Sequence, residues 1–206
     1  MVKTCGISGG SGAGKTTLTR HLVERLGTDQ VSVVAFDAYY RDQGHLSPAD
    51  RALVNYDHPS SLDHEMFAAD VQALRSGRAV AAPVYDFATH TRTGEVVMIE
   101  PKPVVIVEGI LLLSFSEIAA HLDLAVFIDV PEAVRLERRI IRDVAERGRE
   151  PDDVRRQFAA TVAPMHNQYV EPYRHLAPRT VELHESYGPV ADELVERLSV
   201  RERLVG

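Results

Sequence analysis

The chain has 206 residues, 45% hydrophobic and 26% charged, which suits one globular domain with a full core. A net charge of −7 excludes the basic field that would hold nucleic acid, and no apolar run reaches the roughly 18 residues of a membrane span. The single cysteine, Cys5, excludes a disulfide framework and reads as a buried thiol. In chain order, Val2–Ile7 reads as a short buried strand and Thr16–Leu26 as a helix, with Leu18, Leu22, Val23 and Leu26 near helical spacing. The early strand leaves no room for a signal peptide, so the cytoplasm is the expected compartment.

Val31–Phe36 is a second predicted strand. Residues 37–103 then separate it from a third, Val104–Val107, too long for a simple crossover. This insertion holds a helix at Asp63–Ser76 and two stretches, Val80–Phe87 and Thr93–Ile99, that read as a β-hairpin joined by Ala88–Arg92. The fully apolar third strand is expected near the sheet centre. Leu124–Val130 is a fourth strand and Thr180–Leu183 a weaker fifth. Helices are predicted at Glu132–Arg147, Pro151–Tyr169 and Pro189–Arg203, with Pro131 and Pro189 near helix starts. Alternating strands and helices predict an α/β fold: a mostly parallel five-stranded sheet flanked by helices.

Between the first strand and helix, Gly9-Gly10-Ser11-Gly12-Ala13-Gly14-Lys15-Thr16 fits the P-loop pattern G-x-x-x-x-G-K-[ST] in its strand–loop–helix context. Such a loop turns backbone N–H groups onto phosphate oxygens, and the following helix adds the positive end of its dipole. Lys15 is expected to reach the β- and γ-phosphates, and the Thr16 hydroxyl to ligate Mg²⁺. A nucleoside triphosphate is the implied ligand.

Asp37 directly follows the second strand, where open α/β sheets bind ligands. It can orient an attacking hydroxyl and accept its proton; a helix-cap or turn role is the alternative. Glu108 ends the third strand at the Walker-B position, which holds Mg²⁺, and otherwise reads as a surface carboxylate. Arg135, Arg138, Arg139 and Arg142 fall at i, i+3, i+4 and i+7, with Arg147 and Arg149 just beyond. Clustered like charges repel unless an anion neutralises them, so an anion-closing lid is expected. Because Glu132, Glu137, Asp143, Glu146 and Glu150 are interleaved, a solvated, salt-bridged helix is the alternative. The hairpin carries Tyr85, Asp86, Phe87, His90 and Arg92, rings and polar neighbours that suit a nucleobase as well as ordinary packing. Asp57, in Asn55–Pro59, offers an acceptor for ribose hydroxyls. The P-loop, a hairpin flap at 79–99 and an arginine-rich lid at 135–157 are expected within one domain spanning 1–206.

The segments GGSGAGKT, DAYYRD, NYDHPSSLD, PVYDFATHTR, VEGIL and RRIIRDVAERGR occur in this order. Together they closely resemble the uridine–cytidine kinases, from about Val2 to Pro172. The resemblance implies phosphoryl transfer from ATP or GTP, with Mg²⁺, to the 5′-hydroxyl of uridine or cytidine. It implies Asp37 as base, and Thr16, Glu108 and Asp37 as metal ligands. It places Thr17 with the donor site, and Tyr40, Asp57, Tyr85, Phe87 and His90 with the nucleoside. Arg142, Arg147 and Arg149 are implied to face phosphate, Arg139 and Gln157 the nucleoside. A homotetramer is the implied assembly. Ala177–Leu183 departs from the family segment that frames the adenine pocket. The same residues leave two other readings open: a phosphoribulokinase- or pantothenate-kinase-like enzyme, and a nucleotide-dependent switch without an acceptor.

Overall fold

A computed structural model describes residues 2–200. The elements are β1 (Lys3–Gly9), α1 (Lys15–Leu26), β2 (Val31–Ala35), α2 (Pro48–Ala52), α3 (His64–Arg75), β3 (Val80–Asp86), β4 (Thr91–Ile99), β5 (Val104–Gly109), α4 (Ser116–Ala119), β6 (Leu124–Asp129), α5 (Glu132–Arg147), α6 (Pro151–Gln157), α7 (Ala163–Tyr169), β7 (Arg179–Glu182) and α8 (Tyr187–Val200). No described helix is long and apolar enough to cross a membrane.

The apolar run of β5 explains the layering. Val105 and Val107 point into one core with Phe36, Tyr39, Phe67 and Leu111. Val104 and Ile106 point into the other, with Cys5, Ile7, Leu18, Leu22 and Val126. A strand covered on both faces belongs to a parallel sheet sandwiched by helices. The sheet is five-stranded in the order β2-β5-β1-β6-β7, every pair parallel. Cys5 is fully buried, and burial pushes its thiol up to about 12, as expected for an inert core residue.

Register positions the site. Ile7 and Ala35 both stand opposite Glu108, so β1, β2 and β5 end side by side. From these ends leave the P-loop, a 3₁₀ turn at Phe36–Tyr39 that carries Asp37, and Glu108 itself.

Several boundaries shift from the sequence reading. The hairpin turn is shorter than expected, because Thr91 and Arg92 already pair with Asp86 and Tyr85. The helix expected over Pro151–Tyr169 is continuous but contains a π-turn at Phe158–Val162. Pro164 has no N–H to give to the preceding turn, and the wider turn accommodates it. The last helix starts earlier, at Tyr187, and the expected residues 201–203 lie outside the described ones. The short helices α2 and α4 were not anticipated, although Ser47 caps α2 by accepting from the Asp50 amide.

Ile106 is fully buried in the second core. Ile106→Ala should cost about 2–5 kcal/mol, read as a lowered urea midpoint at unchanged slope.

Candidate active site

The P-loop is shaped by what crosses beneath it. Gly12 has φ +81°, and a Cβ there would collide with the Arg135 carbonyl. Gly14 (φ +103°) caps α1 in the left-handed region, with the Tyr187 hydroxyl against it. Tyr187 donates to the Ala13 carbonyl at 3.0 Å, and Arg138 donates to the same oxygen at 3.3 Å. Lys15 Nζ donates to the carbonyls of Gly9 (2.9 Å) and Gly10 (3.2 Å). Gly9 and Gly10 thus hold the lysine, while Ser11, Gly12, Gly14, Thr16 and Thr17 line the cavity above the loop.

That donor-side cavity measures ≈ 420 Å³. Lys15, Thr16, Asp37, Glu108, Arg138 and Arg142 face it. Glu108 accepts from the Thr16 hydroxyl at 3.1 Å and from the Thr19 hydroxyl at 3.0 Å. Burial raises the Glu108 pKa, against the pull of Lys15. Burial lowers that of Lys15, opposed by Asp37 and Glu108. Asp37 Oδ1 is buried without a hydrogen-bond partner. A desolvated lysine beside two carboxylates and a threonine hydroxyl suits a site that awaits both a metal ion and phosphate oxygens.

A second, inner cavity of ≈ 80 Å³ adjoins the first and shares Ser11, Asp37, Ile110 and Arg142 with it. Tyr40, Asp57, Tyr85, Phe87, His90 and Arg139 are among the other residues of its wall. It is the inner end of a wider opening: a further cavity of ≈ 700 Å³ is lined by Tyr56, Tyr85, Phe87, His90, Arg147 and Gln157, which also border the inner one. Two contacts border it. His90, at φ +56°, stacks on Tyr56 with ring centroids 4.7 Å apart. Arg147 lies 4.9 Å over the Phe87 ring, joining hairpin to lid. Burial lowers the His90 pKa, and Arg149 and Arg147 push it the same way. Burial raises that of Asp57, opposed by Arg139.

The arginines divide differently from the expectation. Arg142, with Arg138, lines the donor cavity. Arg147 and Arg149, expected at the phosphates, line the inner cavity with Arg139. Gln157 also lines it, but its carbonyl is taken by Arg139 (3.1 Å) and Arg149 (2.6 Å). Arg139 additionally donates to the Ser11 hydroxyl at 2.9 Å. Arg135 lines neither cavity: it is buried under the loop, donating to the Val130 carbonyl at 3.0 Å. Its helical face is the predicted one, but the P-loop itself, rather than an anion, packs there. Arg92 turns inward, donating to the Tyr40 carbonyl (2.9 Å) and Asp63 (3.3 Å), and so anchors the hairpin instead of facing a base.

Four contributors were missed. Thr19 lies one turn after Thr16 on the same face, a readable signal. Tyr56 stood beside Asp57 in a segment already singled out. Tyr187 reaches the loop across 174 residues and left no local trace. Asp143 enters the sequence reading only among the interleaved acids of the salt-bridged alternative, yet its side chain is wholly buried.

Twin cavities around a P-loop, with a carboxylate on their shared wall, define the P-loop kinase class. The model of the phosphoribulokinase/uridine kinase family matches residues 4–182, and the chain belongs to this family. A uridine kinase of Brevibacillus brevis is 44% identical over 84% of this chain and 80% of its own length. One of Shewanella halifaxensis is 48% identical, over 84% and 83%. The fold matches a possible uridine kinase of Bacillus stearothermophilus at TM-score 0.61 and 19% identity, covering 87% of this chain and 88% of that one. It also matches a D-glycerate 3-kinase of Cryptococcus neoformans at TM-score 0.58 and 16% identity, covering 84% and 80%.

His166 lies beside Arg135 under the loop, and burial with that neighbour pushes its pKa down to about 4, Glu171 at 3.5 Å notwithstanding. An unfolded histidine takes its proton near 6.5, so stability is full above that pH and is lost as pH falls toward 4. Each pH unit in that window should cost up to about 1.4 kcal/mol, or roughly 3–5 °C of Tm. In His166→Gln the decline of Tm between pH 7 and 5 should flatten; an unchanged slope would assign it to other groups.

Proposed function

We propose that the protein transfers the γ-phosphoryl group of ATP or GTP to the 5′-hydroxyl of uridine or cytidine, yielding UMP or CMP. The observation that carries this reading is the position of Asp37. It stands on the wall shared by the two cavities, with a buried carboxylate oxygen that has no partner. The uridine kinases that this chain resembles support the nucleoside as acceptor. So does the ring cluster of Tyr40, Tyr56, Tyr85, Phe87 and His90, which a ribulose phosphate or pantothenate would not need.

In this mechanism the triphosphate lies along the P-loop. Lys15 exchanges its loop carbonyls for β- and γ-phosphate oxygens, and Arg142 meets the transferring group. The nucleoside enters beneath the hairpin, its base among the aromatic rings and His90 and its ribose hydroxyls on Asp57. The 5′-oxygen attacks the γ-phosphorus as the bond to the β-γ bridging oxygen breaks. Its proton passes to the Asp37 carboxylate. A loose transition state needs this hydroxyl positioned more than deprotonated early, which suits a weak base. Thr16, Glu108 and Asp37 would hold Mg²⁺, which when bound offsets the charge of the phosphate oxygens.

The hairpin at 79–99 then serves as the nucleoside flap and 135–157 as the lid within one domain, with the cytoplasm as the proposed compartment. Homotetramer formation is kept as part of the proposal. The exposed Val96, Val97 and Met98 on β4 support it as apolar surface available to another copy.

Incubation with Mg-ATP or Mg-GTP and a panel of uridine, cytidine, ribulose 5-phosphate and pantothenate tests the assignment. Phosphorylated pyrimidine nucleosides are expected, and exclusive labelling of another acceptor would refute it. Asp37→Asn should lower kcat by about 10²–10⁴ while the ATP Kd stays within about threefold. Turnover near that of wild type would remove Asp37 as base. Lys15→Ala should lower kcat/KM by about 10²–10³, measured with uridine at saturating Mg²⁺.

A further inference from the structure

Asp143, on α5, is fully buried and surrounded by four guanidiniums. Arg142 donates to Oδ1 through Nη2 (2.7 Å) and Nε (2.9 Å). Arg147 approaches the same oxygen at 3.7 Å. Arg139 and Arg149 approach Oδ2 at 3.4 and 3.6 Å. The helix supplies Arg139 and Arg147, one turn to either side. Arg149 arrives by a different route. Gly148 adopts φ +60°, and the chain folds back so that the Arg149 amide bonds the Asp143 carbonyl at 3.2 Å.

A buried carboxylate is costly unless paired, and four neighbouring guanidiniums repel unless an anion stands among them. Asp143 meets both conditions at once. One carboxylate cannot neutralise four cations, so positive charge remains, and it is presented to both cavities. Arg142 faces both sides, and Arg139, Arg147 and Arg149 the inner side.

We propose that Asp143 is a positioning residue: its buried negative charge holds the four arginines in the arrangement that phosphoryl transfer uses, before either substrate arrives. This rests on the kinase reading above. Asp143 touches neither cavity, so it acts through the arginines alone. Pre-arrangement of this kind should appear in kcat, because the arginines meet the transition state without reorganising.

The test compares two substitutions that separate charge from volume. Asp143→Asn keeps the shape and removes the charge; Asp143→Glu keeps the charge and adds a methylene to a packed site. Steady-state kinetics with uridine and Mg-ATP are measured for both, with thermal melts as the check on folding. Asp143→Asn should lose about 100-fold in kcat while KM for Mg-ATP is unchanged or lower, since the cluster has become more positive. Asp143→Glu should retain at least about tenfold more kcat than Asp143→Asn. A role in packing alone gives the opposite order, with the isosteric asparagine the milder change. That order, or an Asp143→Asn kcat within about threefold of wild type, overturns the proposal. If Asp143→Asn does not fold, Asp143→Glu is read alone: a kcat within about tenfold of wild type supports the proposal, and a larger loss overturns it. Failure of both to fold also overturns it, because the residue then acts on stability. Wild type without uridine phosphorylation refutes the functional assignment, whereas an active wild type with an indifferent Asp143→Asn refutes this inference only.

Discussion

The parallel register of three strands is the constraint on which the site depends. Because Ile7 and Ala35 both face Glu108, three chain segments leave the sheet at one level. One becomes the P-loop, one carries Asp37 two residues on, and one holds Glu108 in its last two residues. Side chains alternate along a strand, so a slip of one residue in β5 would turn Glu108 to the other face of the sheet and Val107 out of its core. The packing of Val105 and Val107 on one side and Val104 and Ile106 on the other makes that slip expensive. Core packing and site geometry are therefore specified by the same residues.

Charge is managed on this frame in two different ways. On the donor side, Lys15 and Glu108 are desolvated beside Asp37, and the carbonyls of Gly9 and Gly10 occupy the ammonium meanwhile. On the lid, Asp143 and the Gln157 carbonyl gather arginines that would otherwise spread into solvent. Arg135 is set apart from both groups. Placed under Gly10 and Gly12, with its guanidinium 5.9 Å over the Phe158 ring, it supports the loop as an aliphatic and aromatic-contacting strut.

The features legible in the sequence are those written in local spacing. The P-loop, Asp37 after β2, Glu108 at the end of β5 and the bounds of α5 all follow from patterns a few residues long. Periodicity put Arg135, Arg138, Arg139 and Arg142 on one face, but it says nothing of what that face meets, and the answer differs from turn to turn. It is the P-loop at Arg135, the Ala13 carbonyl at Arg138 and Ser11 at Arg139. An interleaved acid looks the same in sequence whether it is solvated, like Glu137, or enclosed, like Asp143. Arg92 was misread for a related reason. Its place beside the hairpin turn does not say which way the side chain points, and it points to the Tyr40 carbonyl and Asp63.

His90 holds a backbone conformation that limits how the flap can vary. At φ +56° it is the only described residue other than glycine with a positive φ. Asparagine, aspartate and glycine enter that region readily, whereas β-branched side chains resist it. If His90 reads the base, as proposed above, routes to a different preference at this position are narrowed to a few small polar side chains. Larger excursions in specificity must come from partners such as Tyr56 and Phe87, whose backbones carry no such restriction.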